Sequence, residues 1–132
     1  MYVKTGLVRF GYLHMAFLGP ESQWAAEASE CANEQGKFWE YHDVLFARHG
    51  GENQGAFSKE NLKKFAVELG LDATKFNACL DAGKYAGLVQ EQTSALQALG
   101  MQSTPTFLIN RRLMSGALPF EQFKQIIEAT RR

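Results

Sequence analysis

The chain has 132 residues, 45% of them hydrophobic and 21% charged, with 14 basic and 14 acidic side chains. That length suits one domain, and the composition argues against a disordered or membrane-embedded chain. Zero formal net charge leaves no electrostatic footprint for nucleic acid or an anionic membrane, and little repulsion against self-association.

Met1-Tyr2-Val3-Lys4-Thr5-Gly6 shows no long apolar run of a secretion signal. The longest apolar stretch, Leu7 to Leu18, is interrupted by Arg9 and His14, so no membrane-spanning helix is expected. Within it, Leu7–Leu13 reads as a strand, rich in β-branched and aromatic residues after a turn-like Lys4-Thr5-Gly6. Gly19-Pro20-Glu21-Ser22 starts a helix, because proline is tolerated in a first turn and Glu21 suits the N-terminal dipole.

From Ser22 to about His49 the pattern is helical. Trp24, Ala25, Ala28, Cys31 and Ala32 form one buried face, and Gly36 breaks the run. Phe38, Trp39, His42, Leu45 and Phe46 form a second face. His49-Gly50-Gly51-Glu52-Asn53-Gln54-Gly55 is polar and glycine-rich, and is expected to be mobile.

Ser58 caps a helix over Lys59–Leu69, ended by Gly70. Asp72 caps the next, with Phe76, Cys79 and Leu80 inward. Lys84–Leu99 is a fifth helix, ended by Gly100. Thr106–Asn110 and Leu113–Ala117 are strands close enough to form a hairpin. Pro119 opens a last helix with Phe120, Phe123, Ile126 and Ile127 on its buried stripe. No internal repeat or domain linker is visible, so residues 1–132 read as a single domain.

Four segments carry a likeness to a known family. They are Gly19 to Ala32, Gln35 to Phe46, Leu69 to Leu80, and Gly100 through Ser103-Thr104-Pro105 to Asn110. Together they resemble the DsbA-like branch of the thioredoxin-fold superfamily. The resemblance implies an α/β thioredoxin-like fold with a helical insertion over about residues 20–100. It also implies an ancestry among thiol–disulfide oxidoreductases.

The departures from that pattern bear on function. Family members begin with a strand and then a Cys-x-x-Cys at a helix N-terminus, where the dipole favours the thiolate. This sequence contains no Cys-x-x-Cys, and no cysteine precedes Cys31. The expectation is therefore a chain lacking the first βα unit and inactive as a dithiol catalyst. It reads as a non-catalytic relative or a fragment of such an oxidoreductase, extracytoplasmic if it derives from such a parent. The alternative is a free-standing binding or homo-oligomeric assembly module. At Asn110-Arg111-Arg112 an Asn-Gly turn would be usual, so Arg111 carries a steric cost or the turn type differs.

X–Pro bonds in folded proteins are mostly trans, but the resemblance implies a cis Pro105. It implies also that Ser103, Thr104 and Pro105 form a peptide-facing loop that can add an extended strand. Cys31 and Cys79 read equally as a structural disulfide or as buried thiols, with catalytic redox work ranked below both.

His42 and His49 match no zinc spacing well, and no metal site is expected. His14 reads as a core-edge residue, and Phe38, Trp39 and Tyr41 as core or helix-packing residues. No nucleophile–His–acid set or phosphate loop is present, so no cofactor is expected. Finally, with the central strand of the thioredoxin core missing, Leu7–Leu13 would be an apolar open edge. A homodimer pairing there is expected, with Phe10, Tyr12 and Leu13 covered by two-fold symmetry.

Overall fold

Local chemistry sets several of the helix ends. In a computed structural model, which describes residues 2–131, Pro20 occupies the first turn of α1 (Pro20–Asn33). Gly36, at φ +75°, turns the chain out of α1 in a conformation that favours glycine. The Gly36 and Lys37 amides then donate to the carbonyls of Asn33 and Ala32, at 2.9 and 3.0 Å.

α2 is Phe38–Ala47, α3 Lys59–Glu68, α4 Ala73–Asp81, α5 Ala86–Ala98 and α6 Phe120–Thr130. Ser58 Oγ accepts from the Asn61 amide at 3.2 Å, and Asp72 Oδ1 from the Lys75 amide at 3.1 Å. Such caps contribute about 1 kcal/mol each by satisfying amides that a helix leaves open. Gln35 fastens the α1–α2 connection to α4: it accepts from the Asp72 amide at 2.8 Å and donates to the Asp72 carbonyl at 3.2 Å.

The chain divides into two compact units, Met1–Ser94 and Ala95–Arg132. In the first, α1 packs against α2, α3 and α4. The core gathers Ala28, Cys31 and Ala32 from α1, Tyr41 from α2, Leu62, Phe65 and Ala66 from α3, and Phe76, Cys79 and Leu80 from α4. The α1 and α4 faces are those expected from the sequence.

The α2 face is not. Trp39 and Phe46 point outward, 43% and 70% exposed, while Tyr41 is fully buried and Val44 and Leu45 pack on the core. The helix FWEYHDVLFA is apolar nearly all round, so its period allows two stripes. Burial follows the one whose polar atom finds a partner: Tyr41 Oη donates to the Leu62 carbonyl at 2.8 Å.

One further expectation is corrected in this unit, and one loop gains a tie. Within the glycine-rich loop His49–Gly55, Asn53 reaches the start of α1. Its Oδ1 accepts from the Glu21 amide at 3.2 Å, and its Nδ2 donates to the Leu18 carbonyl. And Leu7–Leu13 is not a strand. Residues 8–17 run without helix, turn or bend, and among the described residues Arg9 to Leu13 make no main-chain hydrogen bond. Strand propensity is present, but a strand needs a ladder partner. The main chain of the run is held at its far end, where the His14 and Ala16 amides donate to Gln92 Oε1 (2.8 Å) and Thr93 Oγ1 (3.0 Å).

The second unit holds an antiparallel hairpin, β1 (Thr106–Ile109) and β2 (Arg112–Ser115), in register from Thr106↔Ser115 to Ile109↔Arg112. β2 ends at Ser115 rather than Ala117, because Gly116 takes φ +94°. At the tip both Asn110 and Arg111 have positive φ, 45° and 74°. This is the two-residue turn that matches strand twist, with arginine in the place where glycine is least strained. Phe107 of β1 meets Phe123 of α6 edge to face, with ring centroids 4.8 Å apart. Phe120 is 56% exposed and no α6 residue is fully buried, so the expected stripe on this helix is only partly covered.

Candidate functional site

Ser103, Thr104 and Pro105 form an exposed loop leading into β1. The Thr104–Pro105 peptide is cis. The Pro105 carbonyl accepts from the Gly116 amide at 2.8 Å, and the Ser103 carbonyl accepts from Thr106 Oγ1 at 2.7 Å. Between them, the main chain of Thr104 has no hydrogen-bond partner among the described residues. One exposed N–H and C=O pair is thus open beside the cis peptide.

In the first unit, Cys31 of α1 and Cys79 of α4 are joined as a disulfide across 48 residues, with Cα atoms 5.9 Å apart. Both are buried, at 1% and 7% exposure. Closing a loop of that length contributes about 4 kcal/mol through the unfolded chain. Neither sulfur sits at a helix N-terminus, the setting that activates a thiolate.

A charged group flanks this bond. Glu34 Oε1 accepts from Lys84 Nζ and, at 2.8 Å, from Tyr85 Oη, and it lies 3.9 Å from Cys79 Sγ. The bond from Lys84 leads, followed by that from Tyr85, in holding the Glu34 carboxyl below the usual carboxylate range. The same contact pushes the Tyr85 phenol up to about 12. Attack on a disulfide requires an arriving thiolate, and a persistent carboxylate beside Cys79 opposes it from that side. This cluster was not among the sequence expectations. Its signal is the row Glu27, Glu30 and Glu34 at helical spacing alongside Cys31.

His14 is buried at 4% exposure, and its Nε2 lies 2.9 Å from Glu30 Oε1. Glu30 in turn borders a cleft of about 290 Å³ lined by Phe10, Tyr12, Phe38, Trp39 and Glu40. Burial raises the Tyr12 phenol above its ordinary value. Rings run continuously across this face: Phe10 to Trp39 at 5.5 Å, Trp39 to His42 at 5.3 Å, and His42 stacked on Phe46 at 4.5 Å. Trp39 therefore belongs to an open surface, Phe38 is a half-buried packing residue beside Tyr12 and His14, and Tyr41 belongs to the core.

His42 and His49 do not meet as a pair of ligands. The first contacts Asp43 at 3.1 Å and the second the Phe57 ring at 5.9 Å. Among the described residues no three side chains gather as metal ligands, and no helix is long and apolar enough to cross a membrane.

Comparison with known proteins gives a consistent pattern. A family model described as thioredoxin matches residues 1–129. Disulfide bond formation protein D of Bacillus subtilis (strain 168) is 26% identical over 132 residues, covering 96% of this chain and 59% of that protein. The Na(+)/H(+) antiporter NhaA of Herminiimonas arsenicoxydans is 36% identical over 113 residues, 86% of this chain but only 17% of the antiporter. A thioredoxin-like oxidoreductase from Silicibacter pomeroyi DSS-3 superposes with a TM-score of 0.76 at 25% identity, covering 91% of this chain and 66% of that one. The chain thus spans about a sixth of the antiporters it matches and under two thirds of the Bacillus protein.

Proposed function

The chain belongs to the DsbA-like thioredoxin family, and from that premise we propose that these residues are the peptide-facing scaffold of a thiol–disulfide oxidoreductase, without dithiol exchange of their own. The observation that carries this reading is the state of its two cysteines. They are bound to each other, buried in a helical core, and 48 positions apart. A redox pair of this family needs an exposed, activated thiolate with its resolving thiol three residues on.

What remains suited to the family's work is recognition. Ser103, Thr104 and Pro105 offer the open main chain of Thr104 to an extended segment of a substrate protein, with the Gly116 amide on Pro105 and the Thr106 hydroxyl on Ser103 holding the loop in place. Strand addition of this kind takes its affinity from main-chain bonds and is tolerant of sequence. A second reading, a binding module carried within larger proteins, is favoured by the match to a small part of the antiporters.

Insulin reduction in dithiothreitol tests the reading. The expected rate equals that of a Cys31→Ser, Cys79→Ser double variant. A rate well above that variant would show that one of these sulfurs exchanges, and would overturn the proposal.

A further inference from the structure

We propose that the bare segment Arg9–Leu13 is a docking edge for a second copy of this chain, the two copies pairing antiparallel about Gly11. Three observations, all within the first unit, lead there.

The first is the main chain. Arg9 to Leu13 are all exposed, and none of their amides or carbonyls has a main-chain partner among the described residues. The run is straight enough to extend and is free on its edge, which is the template a further strand adds to.

The second is self-complementarity. Two-fold pairing about Gly11 sets Phe10 opposite Tyr12 of the second copy, and Tyr12 opposite its Phe10. Aromatic pairs directly across a ladder are among the favourable ones. In that register Arg9 faces Leu13, so no like charges oppose each other. Arg9 is the only Lys, Arg, Asp or Glu between Lys4 and Glu21. The ladder therefore brings an edge with one charge on each copy against its like, with Phe10 and Tyr12 of both copies on the face that borders the aromatic cleft.

The third is area. Phe10 and Tyr12 are 52% and 41% exposed and continue into the open rings of Trp39 and Phe46. At about 200 Å² per ring side chain, the four leave on the order of 400 Å² of aromatic surface open. That is as large as the biggest patch most monomers carry, and about half of what each partner brings to a stable interface. Leu7, Leu13 and the main-chain edge supply the remainder.

Cross-linking gives the sharpest test. A side chain added at Gly11 meets nothing within 4 Å, and the native cysteines are joined to each other, so Gly11→Cys introduces a single free thiol. Residues on the two-fold axis have Cα atoms about 4.5–5.5 Å apart in either kind of antiparallel pair, within disulfide range. With copper phenanthroline as oxidant, two thiols lose two electrons to the reagent and two protons to water, forming one intermolecular bond. The expected result is a covalent dimer for Gly11→Cys and none for Arg9→Cys, whose two positions would stand about 13 Å apart along the ladder. The unaltered chain should sediment as a dimer at micromolar concentration. Phe10→Asp should weaken that association by about tenfold or more, the effect of losing one aromatic anchor. A chain that stays monomeric overturns the proposal, whatever else occupies the edge. So does equal cross-linking by both cysteine variants, or a dimer indifferent to Phe10→Asp.

Discussion

Phe10–Leu13 and Thr106–Ile109 are built from much the same residues, aromatic and branched side chains in short runs, and only the second is a strand. Thr106–Ile109 has β2 across a tight turn of two residues, so its ladder closes cheaply. Phe10–Leu13 has no neighbour in sequence to pair with, and its main chain stays open. A strand is a property of a pair of segments. Propensity describes one member, and the cost of bringing the other decides the outcome.

That contrast can be pressed from its strongest long-range tie downward. The Cys31–Cys79 bond is a covalent tie across 48 residues, and the Cys31→Ser, Cys79→Ser double variant should lose about 4 kcal/mol in denaturant unfolding. A loss under about 1 kcal/mol would mean that helix packing alone holds α1 on α4. Next, the same substitution should separate the two segments. Phe107→Ala removes a partly buried ring packed on Phe123 and should cost about 2 kcal/mol. Phe10→Ala, measured at dilution, should fall within about 0.5 kcal/mol of the parent, as open-surface changes do. Equal losses would show that Phe10 is covered in the single chain. Below the loss at Phe107, Arg111→Gly should raise stability by about 1 kcal/mol, because it relieves a left-handed arginine at the hairpin tip. No gain in thermal melting would place the tip in another turn.

How much of this was legible from the residues follows the same division. The caps Ser58 and Asp72 and the breaks at Gly36 and Gly70 act within a few positions, and they placed the helices to within a residue or two. The inward face of α1 was legible because it has one apolar stripe. α2 has two, and the choice between them rests on the Leu62 carbonyl, 21 residues beyond Tyr41. The ties of Glu34 to partners 50 and 51 residues away were not given by its helical row of acids alone. The loop Ser103–Pro105 was visible only through family likeness, since nothing in its composition marks it. The arginine at the hairpin tip, by contrast, was legible as an anomaly, and its positive φ has the form that anomaly suggested.

The pin at Asn53 has a consequence in the statistics of chain closure. Residues 48–58 join α2 to α3, and a single amide holds their midpoint against the start of α1. The link therefore behaves as two short tethers, residues 48–52 and 54–58, each closed separately. Lengthening either tether is inexpensive, since doubling a flexible loop costs only about 0.6 kcal/mol. Cutting the midpoint free merges the two into one larger loop and releases the first turn of α1 with it. Variation in this connection is thus tolerated in length on both sides of one residue and resisted at that residue itself.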